Sequence, residues 1–415
     1  MFATIIPLSA LLSGTALLLL GSGLLGTLLG VRGSIEGYGD QVLGLIMSGY
    51  FLGFYLGTFV APAAIRRMGH IRAFSFFGAL FACTVLLHAI RVEPLAWGLF
   101  RVGTGVAVVG LYTVIESWLN GTVDSAHRGR VFAIYMAVNL GALALGQQLL
   151  RIAPAESFVL FSLVAILVCA AMLPVVATRM AQPVMQPAAR IGVRRLFRIA
   201  PAAAAGALFS GLTIGAFWGL GPVYASRLGL GDGDVAMYKS VTIVGGAVLQ
   251  WPIGRLSDSG DRRHALALAC LGAALAAGFA VAISGWAATP LYMVFFVYGG
   301  LSFAVYPVAV AHLLDHVPTE DLLPACSTVL LLHGLGAAFG PAVAGFAMAQ
   351  YGPRAFPGYL MLVHLLLAAY IVGRVLVRRR EALGEAHFHP MLRTSPTAME
   401  MLSEAEAEAG QDGAP

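Results

Sequence analysis

The chain has 415 residues, 59% of them hydrophobic and only 11% charged, with a mean hydropathy of +0.84. A soluble domain carries about 25% charged residues, so this composition excludes an ordinary soluble enzyme and predicts a polytopic membrane protein. The net charge of +5 comes mostly from arginines scattered in short gaps between apolar runs, which argues against a nucleic-acid partner.

In chain order, twelve apolar stretches are long enough to cross about 30 Å of hydrocarbon at 1.5 Å per residue. They are 8–31, 41–64, 73–90, 95–118, 130–150, 156–177, 199–222, 235–254, 264–284, 289–313, 322–349 and 357–377. Residues 1–7 lack a basic n-region, so the first stretch reads as an uncleaved helix rather than a secretory leader. Glu36 and Asp40 read as solvated loop charges, and His88 and Trp97 as anchors at the membrane interface. Span four contains Arg101, about six residues in, where a guanidinium costs about 2.5–3.5 kcal/mol even on the lenient insertion scale. Asn139, Gln147 and Gln148 fall in span five, Lys239 in span eight, His312 in ten, His333 in eleven and His364 in twelve. Tyr50, Tyr55, Phe217, Trp218 and Trp251 are aromatic side chains on these spans, for which packing between helices is the commoner explanation. Cys83, Cys169, Cys270 and Cys326 show no ligand spacing and read as small buried hydrophobes, so neither a metal nor a cofactor is expected.

Lysine and arginine set the sidedness. With the N-terminus inside, 18 basic residues fall in inner loops and the C-terminal segment, and 6 fall outside if Lys239 is counted there. Both termini are therefore expected in the cytoplasm of a cell bounded by this inner, or plasma, membrane. The longest internal break, 178–198, holds Pro183, Pro187 and five arginines. It divides the chain into 1–177 and 199–377, each with six spans, and 378–415 reads as a disordered acidic tail. A six-plus-six layout asks for a duplication. Sliding one half over the other by 192 to 195 residues sets Gly53 on Gly245, Gly105 on Gly300 and Leu140-Gly141 on Leu335-Gly336.

No HExxH, GxSxG, Walker or dinucleotide fingerprint occurs, so the chain is not expected to be an enzyme. The loop after span eight runs Gly254-Arg255-Leu256-Ser257-Asp258-Ser259-Gly260-Asp261-Arg262-Arg263. It resembles the major facilitator superfamily signature G-x-L-x-D-x-x-G-[RK]-[RK], with Asp261 in place of the second glycine. The matching loop after span two, Pro62 to His70, keeps Gly69 but has Arg66 where the acid belongs. Arg101-Val102-Gly103-Thr104-Gly105 is similar to the second motif of that family, R-x-x-x-G. Glu116-Ser117-Trp118-Leu119-Asn120 and the run from Tyr306 to Asp315 resemble its YcaD-like group. Span five lacks the proline of the drug-exporter pattern, although Gly336 to Gly345 in span eleven carries a similar one.

The resemblance implies an all-α fold of 12 transmembrane helices in two pseudo-symmetric six-helix bundles around a central cavity, working by alternating access, and its layout makes Tyr50, Tyr55, Phe217, Trp218 and Trp251 candidates for the cavity wall. It implies a cytoplasmic gate at Gly254, Asp258, Arg262 and Arg263, matched in the first half by Arg66 and Arg67. Because that half lacks the loop acid, Glu116 is expected to pair with Arg66 or Arg67. Arg101, Asn139, Gln147, His312 and His333 are the expected substrate and proton pathway, with Arg101 snorkelling to headgroups as its alternative. The expected function is secondary active transport of a small organic solute, amphipathic or anionic, with protons as the coupling ion. The expected partners are that small-molecule substrate and the lipid bilayer, with the chain a monomer and no nucleic acid bound. A non-transporting sensor on the same scaffold is the alternative, and a membrane enzyme a third reading.

Overall fold

The computed structural model describes residues 2–123, 125–177, 183, 190–285, 287–318, 321–377 and 388–391. Among these there are 13 α-helices and no strand. The first six spans are α1 (Phe2–Ile35), α2 (Asp40–Met68), α3 (His70–Ile90), α4 (Pro94–Thr122), α5 (Ser125–Gln148) and α6 (Phe158–Ala177). A short helix, α7 (Val193–Ile199), precedes α8 (Pro201–Arg227), α9 (Asp232–Asp258), α10 (Arg262–Ile283), α11 (Ala288–Leu314), α12 (Leu322–Tyr351) and α13 (Ala355–Val377). The helical state follows from the solvent: hydrocarbon offers the backbone no partner, so each apolar run must satisfy its own N–H and C=O groups.

Eleven of the long helices are long and apolar enough by themselves to cross a bilayer. The exception is α9, which carries Asp232, Asp234, Lys239 and Arg255. Its 27 residues span about 40 Å, and it packs on α11 and α5; Lys239, in its middle, is buried, while Asp234 and Arg255 are exposed near its two ends.

Within each half the closest helix crossings are cut by glycine. A Cβ on Gly53 would run into the backbone of Val102, and one on Gly105 into the backbone of Tyr50 and Phe54, which locks α2 against α4. The second half repeats the device with Gly245 against Phe296 and Gly299 against Thr242, locking α9 against α11. Gly146 meets Leu20, as Gly340 meets Leu212. The duplication expected from the sequence is therefore present in the packing, but the partner of Gly105 is Gly299, not Gly300. Likewise Gly141 faces open space whereas Gly336 is pressed on the α8 backbone, so that pair does not share a role.

The two halves meet tightly at the end away from the arginine-rich loops. Gly44 of α2 and Gly345 of α12 touch backbone to backbone, and Ser48 Oγ accepts from the Ala342 amide at 3.1 Å. Arg227 of α8 donates to Asp40 at 2.8 Å and to the Tyr38 carbonyl at 2.7 Å. Arg151 donates to the Gly233 carbonyl at 2.8 Å, and Gln148 to Ser240 at 2.6 Å.

Several local expectations are corrected. His88 and Trp97 are fully buried, with Trp97 Nε1 donating to the His88 carbonyl at 3.0 Å, so they fasten α3 to α4 instead of anchoring an interface. Lys239 lies within span eight as read and not among the outer loop charges of the sidedness count: its Nζ is buried, donates to the Phe217 carbonyl at 3.2 Å and stands 3.9 Å from the Phe217 ring centroid. Cys83 and Cys169 are exposed; only Cys270 and Cys326 are buried. Most of the linker 178–198 before α7, and the tail apart from 388–391, lie outside the described residues.

Candidate functional site

Between the halves lies a cavity of about 140 Å³. The first half lines it with Ser22 and Thr27 from α1, Tyr50 and Phe54 from α2, and Arg101, Thr104 and Tyr112 from α4. The second half contributes Trp218 from α8, Phe303 and Tyr306 from α11, and His333 from α12, while Met391 enters from the C-terminal segment. The wall is mainly aromatic and aliphatic with few polar groups, the usual make-up of a small-molecule site.

Arg101 is the only guanidinium in this lining among the described residues. It is 5% exposed, its carbon centre stands 4.5 Å from the Tyr50 ring centroid, and its Nε has no hydrogen-bond partner. Cation–π attraction of about 2 kcal/mol in a desolvated setting offsets only part of the cost of burying the charge. A buried cation facing a cavity with an open donor is arranged to receive an anionic or strongly accepting group. His333 lies on the other wall, its Nδ1 2.9 Å from Ser210 Oγ and its ring 4.5 Å from that of Tyr306.

The other pathway candidates are not brought to this cavity as a set. Gln147 is one layer behind it: Thr27 Oγ1 donates to its Oε1, and its own Nε2 donates to the Leu143 carbonyl at 2.9 Å. Asn139 is fully buried and bonds the Tyr135 carbonyl on its own helix at 2.7 Å. His312 sits at the arginine-rich end of α11, beside His316 and Asp315. Of the aromatic candidates, Tyr50 and Trp218 line the cavity; Phe217 packs behind it on Lys239, and Trp251 is exposed under Arg255.

Thr27 and Tyr112 were not singled out from the sequence, and Thr104 and Tyr306 entered only as members of motifs, not as cavity residues. A hydroxyl in an apolar run carries no mark of its facing, since Ser13 and Thr15 in the same helix merely bond their own backbone.

The loop between α9 and α10 forms an ion-pair knot. Arg262, 6% exposed, donates from Nε to Asp315 at 2.6 Å, and from Nη1 to Asp258 at 2.7 Å and Ser257 at 3.0 Å. One guanidinium thereby ties the ends of α9, α10 and α11 together. His312, Asp315 and His316 hold their ligand atoms within 4.8 Å of one another, but Arg262 already supplies the positive charge there. Asp261 caps α10 by accepting from the Arg263 amide at 2.9 Å. Burial alone would raise the Asp261 carboxyl, but its bonds to Arg263 outweigh burial and hold it below its ordinary value. Arg262→Ala leaves Asp315 buried without its cation, so a loss of about 3–5 kcal/mol is expected. A marked drop in detergent melting temperature would show it, and an unchanged temperature would refute the reading.

In the first half the same position is built differently. Arg66 and Arg67 are exposed, whereas Glu116 is fully buried and accepts from the Tyr135 hydroxyl at 2.8 Å. The structure thus turns Glu116 away from the expected Arg66 or Arg67 and toward α5, because its carboxylate lies inside the bundle while both arginines point out at a helix end. His70, adjacent, pairs with Ser117 at 2.9 Å.

A family model described as Major Facilitator Superfamily matches residues 11–321 and 240–402. An uncharacterized MFS-type transporter of Enterobacter sp. (strain 638) is 28% identical over 375 residues, covering 90% of this chain and 96% of that one. An uncharacterized MFS-type transporter, YcaD, of Escherichia fergusonii is 27% identical over 374 residues, covering 90% of this chain and 95% of its own. Among solved structures, the nucleoside transporter NupG superposes with a TM-score of 0.74 at 13% identity, covering 91% of this chain and 100% of its own. A bacterial homolog to the human lysosomal transporter Spinster, inward-facing and unoccupied, gives 0.66 at 14% identity, covering 97% and 98%. At these identities the two structures speak for the fold alone.

Proposed function

The chain belongs to the major facilitator superfamily, a multi-pass membrane protein of a transporter family, and from that premise we propose that it is a secondary active transporter for a small organic solute. Residues 1–177 and 199–377 are the two moving bundles and 178–198 the link between them. The observation that supports this reading is the cavity shared by both halves, with Arg101 on its wall and helix-to-helix contacts joining the halves at one end. The arginine-rich loops mark the cytoplasmic side. The Gly44–Gly345 crossing and the Arg227–Asp40 pair then close the outer side, and the conformation is inward-facing. Breaking that seal and closing the cytoplasmic ends passes the solute across, with the Arg262 knot and the loop around Arg66 and Arg67 rearranging between states. Protons are the proposed coupling ion, with His333 the titratable group on the cavity wall. The membrane is the cell's inner membrane, both termini are cytoplasmic, and the working unit is the monomer.

The test is a comparative metabolite profile of cells and medium with and without the protein, each with and without an uncoupler. A compound class that redistributes only when the protein is present, and collapses with the uncoupler, is the expected result. Redistribution that ignores the uncoupler would refute proton coupling and keep transport. No redistribution by folded, membrane-inserted protein, across a broad panel of offered solutes, would favour the sensor reading.

A further inference from the structure

The C-terminal segment Phe388–Met391 lies outside both bundles in sequence yet runs from the loop between α9 and α10 to the cavity between the bundles. Its backbone begins on the loop knot, where the Phe388 amide donates to Asp258 Oδ1 at 3.0 Å, the same oxygen that receives Arg262. The Phe388 ring stands over Gly254, filling the space a Cβ there would need, and packs on the apolar cluster around Ile253. Three residues on, Met391 is 4% exposed and forms part of the cavity wall that also carries Arg101, Trp218 and His333. Three extended residues reach about 10 Å, enough to run from the loop to the cavity mouth.

We infer that residues 388–391 are a built-in cytoplasmic plug, with Phe388 as its latch on Gly254 and Asp258 and Met391 as its stopper in the cavity. The inference rests on the inward-facing assignment given above. Closing the cytoplasmic ends brings the bundles together in the space the segment fills, so the plug and the outward-facing state exclude each other. While seated, the plug both blocks access from the cytoplasm and holds the inward-facing state. It leaves when the loop around Asp258 rearranges, because the Phe388 amide is anchored on that carboxylate. The segment, Phe388-His389-Pro390-Met391, has no Asp, Glu, Lys or Arg and presents a phenylalanine and a methionine to apolar surface, which favours its seating. A glycine at 254 is required by the latch itself: an added methyl would lie within 3 Å of several Phe388 ring carbons.

The experiment needs no substrate. In a background with Cys83, Cys169, Cys270 and Cys326 replaced by alanine, Ser22→Cys puts one thiol on the cavity wall. Inside-out vesicles are then treated with a membrane-impermeant maleimide, and the labelling rate is read. Deleting residues 388–391 is expected to speed labelling about tenfold, as when a minor open state becomes the dominant one. Gly254→Ala should give the same acceleration with the tail intact, and combining the two should add nothing. A synthetic peptide spanning residues 386–393 should slow labelling of the deletion variant again. Equal rates in full-length and deleted protein, both folded by melting temperature, would overturn the plug. Labelling of the full-length thiol only from the opposite face would instead overturn the inward-facing assignment, which separates the two failures.

Discussion

Gly105→Leu is expected to leave almost no monodisperse protein after detergent extraction, whereas Gly141→Leu should be recovered at near wild-type yield. A Cβ on Gly105 would lie 2.6 Å from the Phe54 amide nitrogen and 3.0 Å from the Gly53 carbonyl carbon. These are backbone atoms of α2, so no rotamer change relieves the overlap and the two helices must separate. Separation also lifts Gly53 off Val102 and opens the wall that carries Tyr50 and Arg101. Overpacking costs about 1–3 kcal/mol even where side chains can adjust, and here they cannot. Against a total stability of about 5–15 kcal/mol, a cost above that range removes much of the folded population. Gly141 has nothing within 4 Å of an added Cβ. The second half supplies an internal check. Gly299→Leu should fail as Gly105→Leu does, and Gly336→Leu should fail although Gly141→Leu survives. Fluorescence-detected size exclusion on tagged variants reads all four. A well-behaved Gly105→Leu peak would mean that α2 and α4 do not cross as closely as described.

The spans were legible because hydrocarbon demands long uncharged runs, and the helix ends fall within a few residues of the stretches read from the sequence. The repeat was legible in outline and misregistered in detail. Gly299 and Gly300 are adjacent, and composition cannot say which one faces a backbone. Arg101 stood out because a cation inside an apolar run has to be accounted for, and the structure puts it on the cavity wall. Lys239 has the same signature and a different place, boxed behind the wall by Phe217 and Trp218. Sequence cannot separate the two, since facing around a membrane helix is set by neighbours and most faces here are apolar. Glu116 was misjudged for a related reason: its acceptor role is filled by a tyrosine hydroxyl from another helix, which leaves no charge pattern to read. Met391 carried no signal at all, because four residues in a polar tail show no periodicity and their burial is wholly tertiary.

Arg101→Ala should abolish solute redistribution while leaving extraction yield and melting temperature unchanged or raised. The two halves of this expectation come from the same fact. Arg101 is buried, its Nε is unbonded, and the partner the structure gives it is the Tyr50 ring, so its charge is held at a cost that the resting protein does not fully offset. Removing it relieves that cost, and the cavity left behind is already open space. A solute that brings an anionic or strongly accepting group loses a charge-assisted bond of about 1.5–3 kcal/mol, a factor of about 10 to 150 in affinity. Arg101→Lys keeps the charge but not the planar fork or the stacking on Tyr50, so it should recover part of the flux. Arg101→Gln keeps hydrogen-bond donors without charge and separates the two contributions. If alanine, glutamine and lysine variants all redistribute solute as the wild type does, Arg101 is not part of the site. If the alanine variant instead melts many degrees lower, the stacking on Tyr50 is structural, and the substrate group must be sought on the facing wall at Tyr306 and His333.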